Sequence, residues 1–317
     1  MGSGSDGGGS IRMPASCCGL VGLKPTRFRM PVGPGTGNPG ISMAFALTRT
    51  VRDTAVLLDA VHGPDAGHYG AAVPPARPYT QEITNNPGPL RIAMLLRQPY
   101  GDEIKEEECL KAVLRTGELL KYLGHQVTEA YPNVSFEFQK ARIIVQAAKT
   151  TNWIDNISAT SEIPVAPENL EPLVYEAYEE GRRYSAVEHN KAEAVLNTCA
   201  RTMGEFMKEY DVILSPTMGE LPAKIGEINQ CLHPEWSLED WVAQRRRWSG
   251  FSGLYNATGQ PSLSIPLMES GDGHPVGIMM SARMGEEGLL LALAAQLERE
   301  LPWSGRKPAV YAGNSVD

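Results

Sequence analysis

The chain has 317 residues, 42% of them apolar and 21% charged, enough to bury the core of one large domain or two ordinary ones. Its 29 lysines and arginines against 37 aspartates and glutamates give a formal net charge of −8, which argues against a uniformly basic nucleic-acid binder. No apolar run approaches the roughly 18–20 residues of a membrane span, and the opening stretch MGSGSDGGGS has neither the basic nor the apolar region of a signal peptide, so the cytoplasm is the expected compartment.

Residues 1–40 are rich in Gly, Ser and Pro and enclose a short apolar patch, Cys17 to Leu23, closed by Lys24-Pro25-Thr26. Residues 53–63 read as a helix with Asp53 as N-cap and Gly63-Pro64 as its stop. The prolines between 64 and 89 mark a surface connection. Residues 90–96 (LRIAMLL) are a buried-strand candidate. Over 103–123 the spacing predicts a helix with Leu110, Val113, Leu114, Gly117, Leu120 and Leu123 on one face. Gly124 supplies its C′ position, and 125–130 returns as a strand. Strand, crossover helix and strand together predict an α/β sheet with a parallel pair.

Residues 136–150 and 170–209 read as mostly helical, with Ser185 to Glu188 as a capping box. A strand over 211–214 ends at Ser215-Pro216-Thr217. Residues 238–254 predict an amphipathic helix whose Arg245, Arg246 and Arg247 form a solvated face. Two strands are expected in 261–282 around Gly271-Asp272-Gly273, and a helix over 286–300. The five cysteines (Cys17, Cys18, Cys109, Cys199, Cys231) lack the spacing of a disulfide framework or a zinc knuckle, and Cys17 and Cys18 read as small packing residues. The six histidines (62, 68, 125, 189, 233, 274) show no metal-ligand spacing. Neither a Walker A nor a dinucleotide fingerprint occurs.

The stretch from Ser5 to Pro14 carries the chemistry. Gly2 to Gly9 alone has the composition of a flexible linker, but the sequence becomes specific at Ile11. Three consecutive glycines, Gly7, Gly8 and Gly9, let backbone N–H groups converge on one concavity that can stabilise an oxyanion. Ser10, directly after it, is placed to attack a carbonyl whose oxygen sits there. Spacing alone does not separate this from any Gly-rich turn followed by Ser.

The longer string does. Residues 4–16 (GSDGGGSIRMPAS) and 18–26 (CGLVGLKPT) closely resemble the signature of the amidase signature family. Downstream, 211–217 (DVILSPT), 256–266 (NATGQPSLSIP) and 273–277 (GHPVG) resemble further family elements in family order. The resemblance implies a single domain over 1–317 with an α/β fold, a mixed sheet flanked by helices on both faces, incomplete at its N-terminus. It implies hydrolysis of a small or cyclic amide by a Ser–Ser–Lys triad without a cofactor or metal. Ser10 maps onto the nucleophile, and Gly7, Gly8, Gly9 and the Ser10 amide onto the oxyanion loop. Asp6 and Arg12 take positions that brace that loop. The family's relay serine and lysine lie further upstream than the nine residues before Ser10, so they are expected outside this chain, which is then expected to be inactive alone. Ser3 and Ser5 stand too close to Ser10 to reproduce the relay loop, and Lys24 reads as part of a structural turn.

The expected partner is a small-molecule amide, with no membrane and no nucleic acid; a homodimer is compatible with this reading. Two rival readings are a non-catalytic remnant of the fold and an amidotransferase A-type subunit acting on charged tRNA in a complex; the acidic balance weighs against the latter. Residues 136–180 and 228–255 should line the acyl pocket, although Phe136, Phe138, Trp153, Tyr175, Trp236, Trp241 and Trp248 there read as helix core more than pocket wall. The middle segment resembles the branch that hydrolyses cyclic aminohexanoate dimers.

Overall fold

The computed structural model of the protein describes residues 1–31, 33, 41–67, 70–101, 103–308 and 311; His68 lies outside them. The chain starts with strand β1 (Gly2–Asp6), helix α1 (Arg12–Cys17) and strands β2 (Val21–Lys24) and β3 (Met43–Thr48). Helices α2 (Val51–Val61) and α3 (Tyr79–Glu82) lead to β4 (Arg91–Met94), α4 (Glu107–Tyr122) and β5 (Gln126–Glu129). Three helices follow, α5 (Glu137–Ser161), α6 (Pro172–Arg183) and α7 (Ala186–Phe206). Then come β6 (Val212–Pro216), α8 (Leu238–Ser249), α9 (Gly253–Thr258), β7 (Ser262–Glu269), β8 (Pro275–Ala282) and α10 (Glu287–Glu300).

The strands make one eight-stranded sheet in the order β1-β3-β2-β7-β8-β6-β4-β5. β4 runs parallel to β5 and β6, and the other neighbours are antiparallel, so the sheet is mixed. Side chains alternate across it. Ile92, Met94, Val212, Leu214, Ile278 and Met280 join the core built with α2, α4 and α10. Their neighbours Ala93, Leu95, Ile213 and Met279 join a second core with α5, α7 and α9. Helices therefore cover both faces. Among the described residues no helix is long and apolar enough to cross a membrane.

The expected strand–helix–strand unit is present, and α4 ends in a Schellman turn. His125 N–H donates to Leu120 O and Gly124 N–H to Lys121 O, each at 3.0 Å, with Gly124 at φ +92°. The capping box at Ser185 and Glu188 is also present. The buried stripe of α4, however, is Cys109, Ala112, Val113, Thr116, Gly117 and Leu120, while Leu114 is 40% exposed. Small residues set this rotation. A methyl group at Gly117 would lie 2.8 Å from Met94 Sδ, so α4 approaches β4 through its small side rather than its leucines.

Other expectations are corrected. Helix α2 is capped by Thr50, whose hydroxyl accepts from Asp53 N–H at 3.1 Å; Asp53 already lies within the first helical turn, while Thr50 is extended. The helix expected over 238–254 breaks into α8 and α9 between Ser249 and Gly253. Arg245 and Arg246 are not a solvated face: they are half-buried and lie over the rings of Trp241 and Phe136. Of the aromatics expected in helix core, Phe138 and Trp248 are buried, but Phe136 is 54% and Trp153 61% exposed. Cys18 is exposed rather than packed.

The cap gives a direct test. Thr50→Ala should lower stability by about 1 kcal/mol, and Asp53→Ala by about 0.5 kcal/mol or less, read from urea midpoints. A larger loss at Asp53 would restore it as the cap.

Candidate active site

Strand β1 ends at Asp6, and the chain passes through Gly7, Gly8, Gly9 and Ser10 before entering α1 at Arg12. Asp6 and Arg12 are both fully buried. The Arg12 guanidinium grips the Asp6 carboxylate as a fork, Nε to Oδ2 at 2.9 Å and Nη2 to Oδ1 at 2.8 Å. The same carboxylate accepts from Gly9 N–H (2.7 Å) and Ile11 N–H (3.2 Å). Burial pushes the Asp6 carboxyl up, but the Arg12 cation and the hydrogen bonds overcome this and hold it well below the usual carboxylate range.

The far side of the loop is fixed by α9 and the residue before it. Asn256 accepts from Arg12 Nη2 (2.5 Å) and donates to Asp6 O (2.7 Å) and Ile41 O (3.0 Å). Arg12 Nη1 donates to Ser252 O at 2.9 Å, and Ser252 Oγ donates to Gly8 O at 2.5 Å. These bonds explain the break between α8 and α9: the Ser252 carbonyl serves Arg12 and its hydroxyl serves the loop. Gly9, at φ +131°, has no substitute, since a methyl group there would lie 2.4 Å from Ser252 Oγ.

Ser10 is exposed and, among the described residues, hydrogen-bonded to no side chain. The N–H groups of Gly8 and Ser10 likewise donate to nothing within the described chain. The Gly9 N–H, expected among the oxyanion donors, donates instead to Asp6 Oδ1 at 2.7 Å. Ser3 and Ser5 sit in the β1–β3 ladder opposite Ala46 and Ala44. Lys24 is fully buried at the end of β2 and donates to Pro25 O at 2.8 Å, with no hydrogen bond to Ser10. Burial and the nearby Arg12 charge pull its pKa down to about 7.

Sequence reasoning passed over three residues that shape this site. Asn256 was visible only as part of a family element, and Ser252 carried no signal. Arg142, on α5, was unmarked. A methyl group at Gly8 would lie 3.3 Å from its Nη1, and one at Gly253 3.5 Å from its Cζ. Cavities of about 310 Å³ between α5 and α7 and about 380 Å³ beside β3 exclude Ser10. No group of three or more His, Cys, Asp or Glu among the described residues could hold a metal ion.

A sequence model of the amidase family matches residues 1–291. The 6-aminohexanoate-cyclic-dimer hydrolases of Pseudomonas sp. (strain NK87) and Paenarthrobacter ureafaciens are 33% identical over 96% of this chain and 64% of each relative. The putative amidase AmiC of Mycobacterium tuberculosis is 33% identical over 95% of this chain and 61% of its own length. The chain thus spans slightly under two thirds of the relatives it matches. A solved structure of 6-aminohexanoate cyclic dimer hydrolase superposes with a TM-score of 0.92 at 32% identity, covering 97% of this chain and 65% of that one. A bacterial aryl acylamidase of the amidase signature family shares the fold, with a TM-score of 0.79 at 20% identity, over 96% of this chain and 64% of that one.

The geometry makes two predictions. Asp6→Asn leaves the Arg12 cation buried without its counter-charge and should cost about 3–5 kcal/mol, measured by urea unfolding. Lys24 sets a pH dependence. Its folded value of about 7 lies below the unfolded value of about 10.4, so between the two the unfolded chain binds a proton that the folded chain does not. Stability contributed by this group should therefore rise as the pH goes from about 7 to 8.5, and Lys24→Met should remove that rise. Parallel pH profiles of the two proteins would refute the assignment.

Proposed function

The chain belongs to the amidase signature family, and on that premise we propose that it serves amide hydrolysis, with Ser10 as the nucleophile. The observation that carries this reading is the exposed Ser10 hydroxyl at the end of a braced glycine loop whose Gly8 and Ser10 N–H groups are unspent. Ser10 Oγ would add to the carbonyl carbon and lose its proton, and the developing oxyanion would be met by those two amides. The C–N bond then breaks, the nitrogen leaves with a proton, and water hydrolyses the acyl-serine to a carboxylate and a restored hydroxyl. The Asp6–Arg12 pair holds the loop and takes no part in proton transfer, since both groups are enclosed.

The base is the second half of the proposal. A serine hydroxyl attacks poorly unless something takes its proton, and no side chain among the described residues is hydrogen-bonded to Ser10. The family mechanism assigns that work to a second serine and a lysine. We therefore propose that residues 1–317 alone hydrolyse amides far more slowly than a complete triad would. The named activity of the cyclic-dimer hydrolases supports a small cyclic or linear amide as the substrate class.

Aryl-amide turnover and fluorophosphonate labelling test this. A broken triad typically keeps about 10³–10⁴-fold acceleration over water from its oxyanion hole and binding, so turnover by residues 1–317 should not exceed that level and Ser10→Ala should lower it little further. Weak labelling should map to Ser10. An adduct on Ser16 or Cys17 would overturn the role of Ser10. Fast turnover that Ser10→Ala abolishes would show that another base serves.

A further inference from the structure

Resting on the amidase reading above, we propose that the substrate carries a carboxylate close to its scissile amide, and that Arg142 receives it while Arg245 strengthens the local positive field. Arg142 reaches the loop from α5 and lies against the backbone of Gly8, two positions before Ser10. It also lies against Gly253, at the start of α9. Neither residue has a side chain, so the guanidinium stands beside the loop with nothing interposed.

Three other arginine forks among the described residues are filled by acids. Arg12 holds Asp6, Arg29 holds Glu287 and Arg247 holds Glu220. Arg142 forms no ion pair or hydrogen bond among the described residues, and its Nε is shut off from water without a partner. A guanidinium carries five N–H donors in a fixed fork that matches a carboxylate. Arg245, on α8, stacks over Trp241 at 4.4 Å and likewise has no acidic partner. It stands close enough to Arg142 that the two charges disfavour each other. Two desolvated cations without a counter-charge are a cost to the folded protein, and a bound anion offsets it. The setting is the more marked because the chain as a whole is acidic, at −8.

Other uses of Arg142 are separable from this one. A cation that served only the oxyanion would show its main effect in the turnover of neutral amides, whereas a carboxylate receptor shows it in the equilibrium binding of charged ligands, with the fork lost in Arg142→Lys.

Isothermal titration of residues 1–317 with glutaramate, which has a carboxamide at one end and a carboxylate at the other, is compared with titration by its neutral diamide, glutaramide. Glutaramate should bind about tenfold or more tightly, the difference expected of a charge-assisted fork. Arg142→Gln should remove the preference, and Arg142→Lys should keep part of it, since the charge remains while the fork is lost. Thermal melts establish that each variant folds, and where Arg142→Gln does not, Arg142→Lys decides. Equal affinities in the parent chain, no binding of glutaramate, or a preference unchanged by the substitutions would overturn the proposal. The two readings fail separately: a carboxylate preference without a Ser10 adduct removes amide hydrolysis and keeps the anion site. An adduct on Ser10 without the preference removes the anion site alone.

Discussion

Everything at the candidate site hangs on one enclosed ion pair. Asp6 and Arg12 have no contact with water, and a charge in that position is tolerable only when its donors and acceptors are matched. Here they are matched by groups from distant parts of the chain. Asn256 satisfies both partners, the Ser252 carbonyl takes one Arg12 nitrogen, and loop amides complete the carboxylate. The geometry of the fork therefore fixes four segments at once: the end of β1, the glycine loop, the start of α1 and the start of α9. An apolar pair of similar volume could fill the space, but it could not dictate where the Gly9 N–H points.

A second electrostatic layer surrounds the first. Lys24 lies close enough to Asp6 and Arg12 for their charges to act on it, and its own burial disfavours the ammonium form. The loop also meets Arg142, whose guanidinium is likewise made less basic by desolvation. The protein thus places the buried Asp6 carboxylate under the loop with Arg12, Lys24 and Arg142 about it, while the chain as a whole is acidic.

Much of the fold was legible in the chain, for local reasons. The strand–helix–strand unit, the C′ glycine at 124 and the box at Ser185 and Glu188 depend on residues a few positions apart, and pattern reading reaches that far. Thr50 was missed because Asp53 stands closer to the apolar run, although the backbone at Thr50 is the extended one. The rotation of α4 was missed because leucines advertise burial more loudly than the glycine that allows close approach. At the site, the Gly7–Ser10 string was legible from its residue types. What Asn256 and Ser252 do was not, since their partners lie some 240 positions away in sequence. The Gly9 amide is taken by Asp6 only three positions earlier, a local side-chain turn, whereas the isolation of Arg142 follows from tertiary packing and has no local pattern.

One consequence follows from where β1 sits. It lies at the rim of the described sheet, hydrogen-bonded to β3 alone, and rim strands are the first to detach in the partial openings that precede global unfolding. Asp6 terminates that strand, so a fluctuation that peels β1 away would also pull the carboxylate out of the Arg12 fork. The fork acts as a latch on that seam. Breathing of the rim and loss of the poised serine loop are then one cooperative event, and the amide protons that β1 donates to β3 exchange with solvent together with that of Gly9.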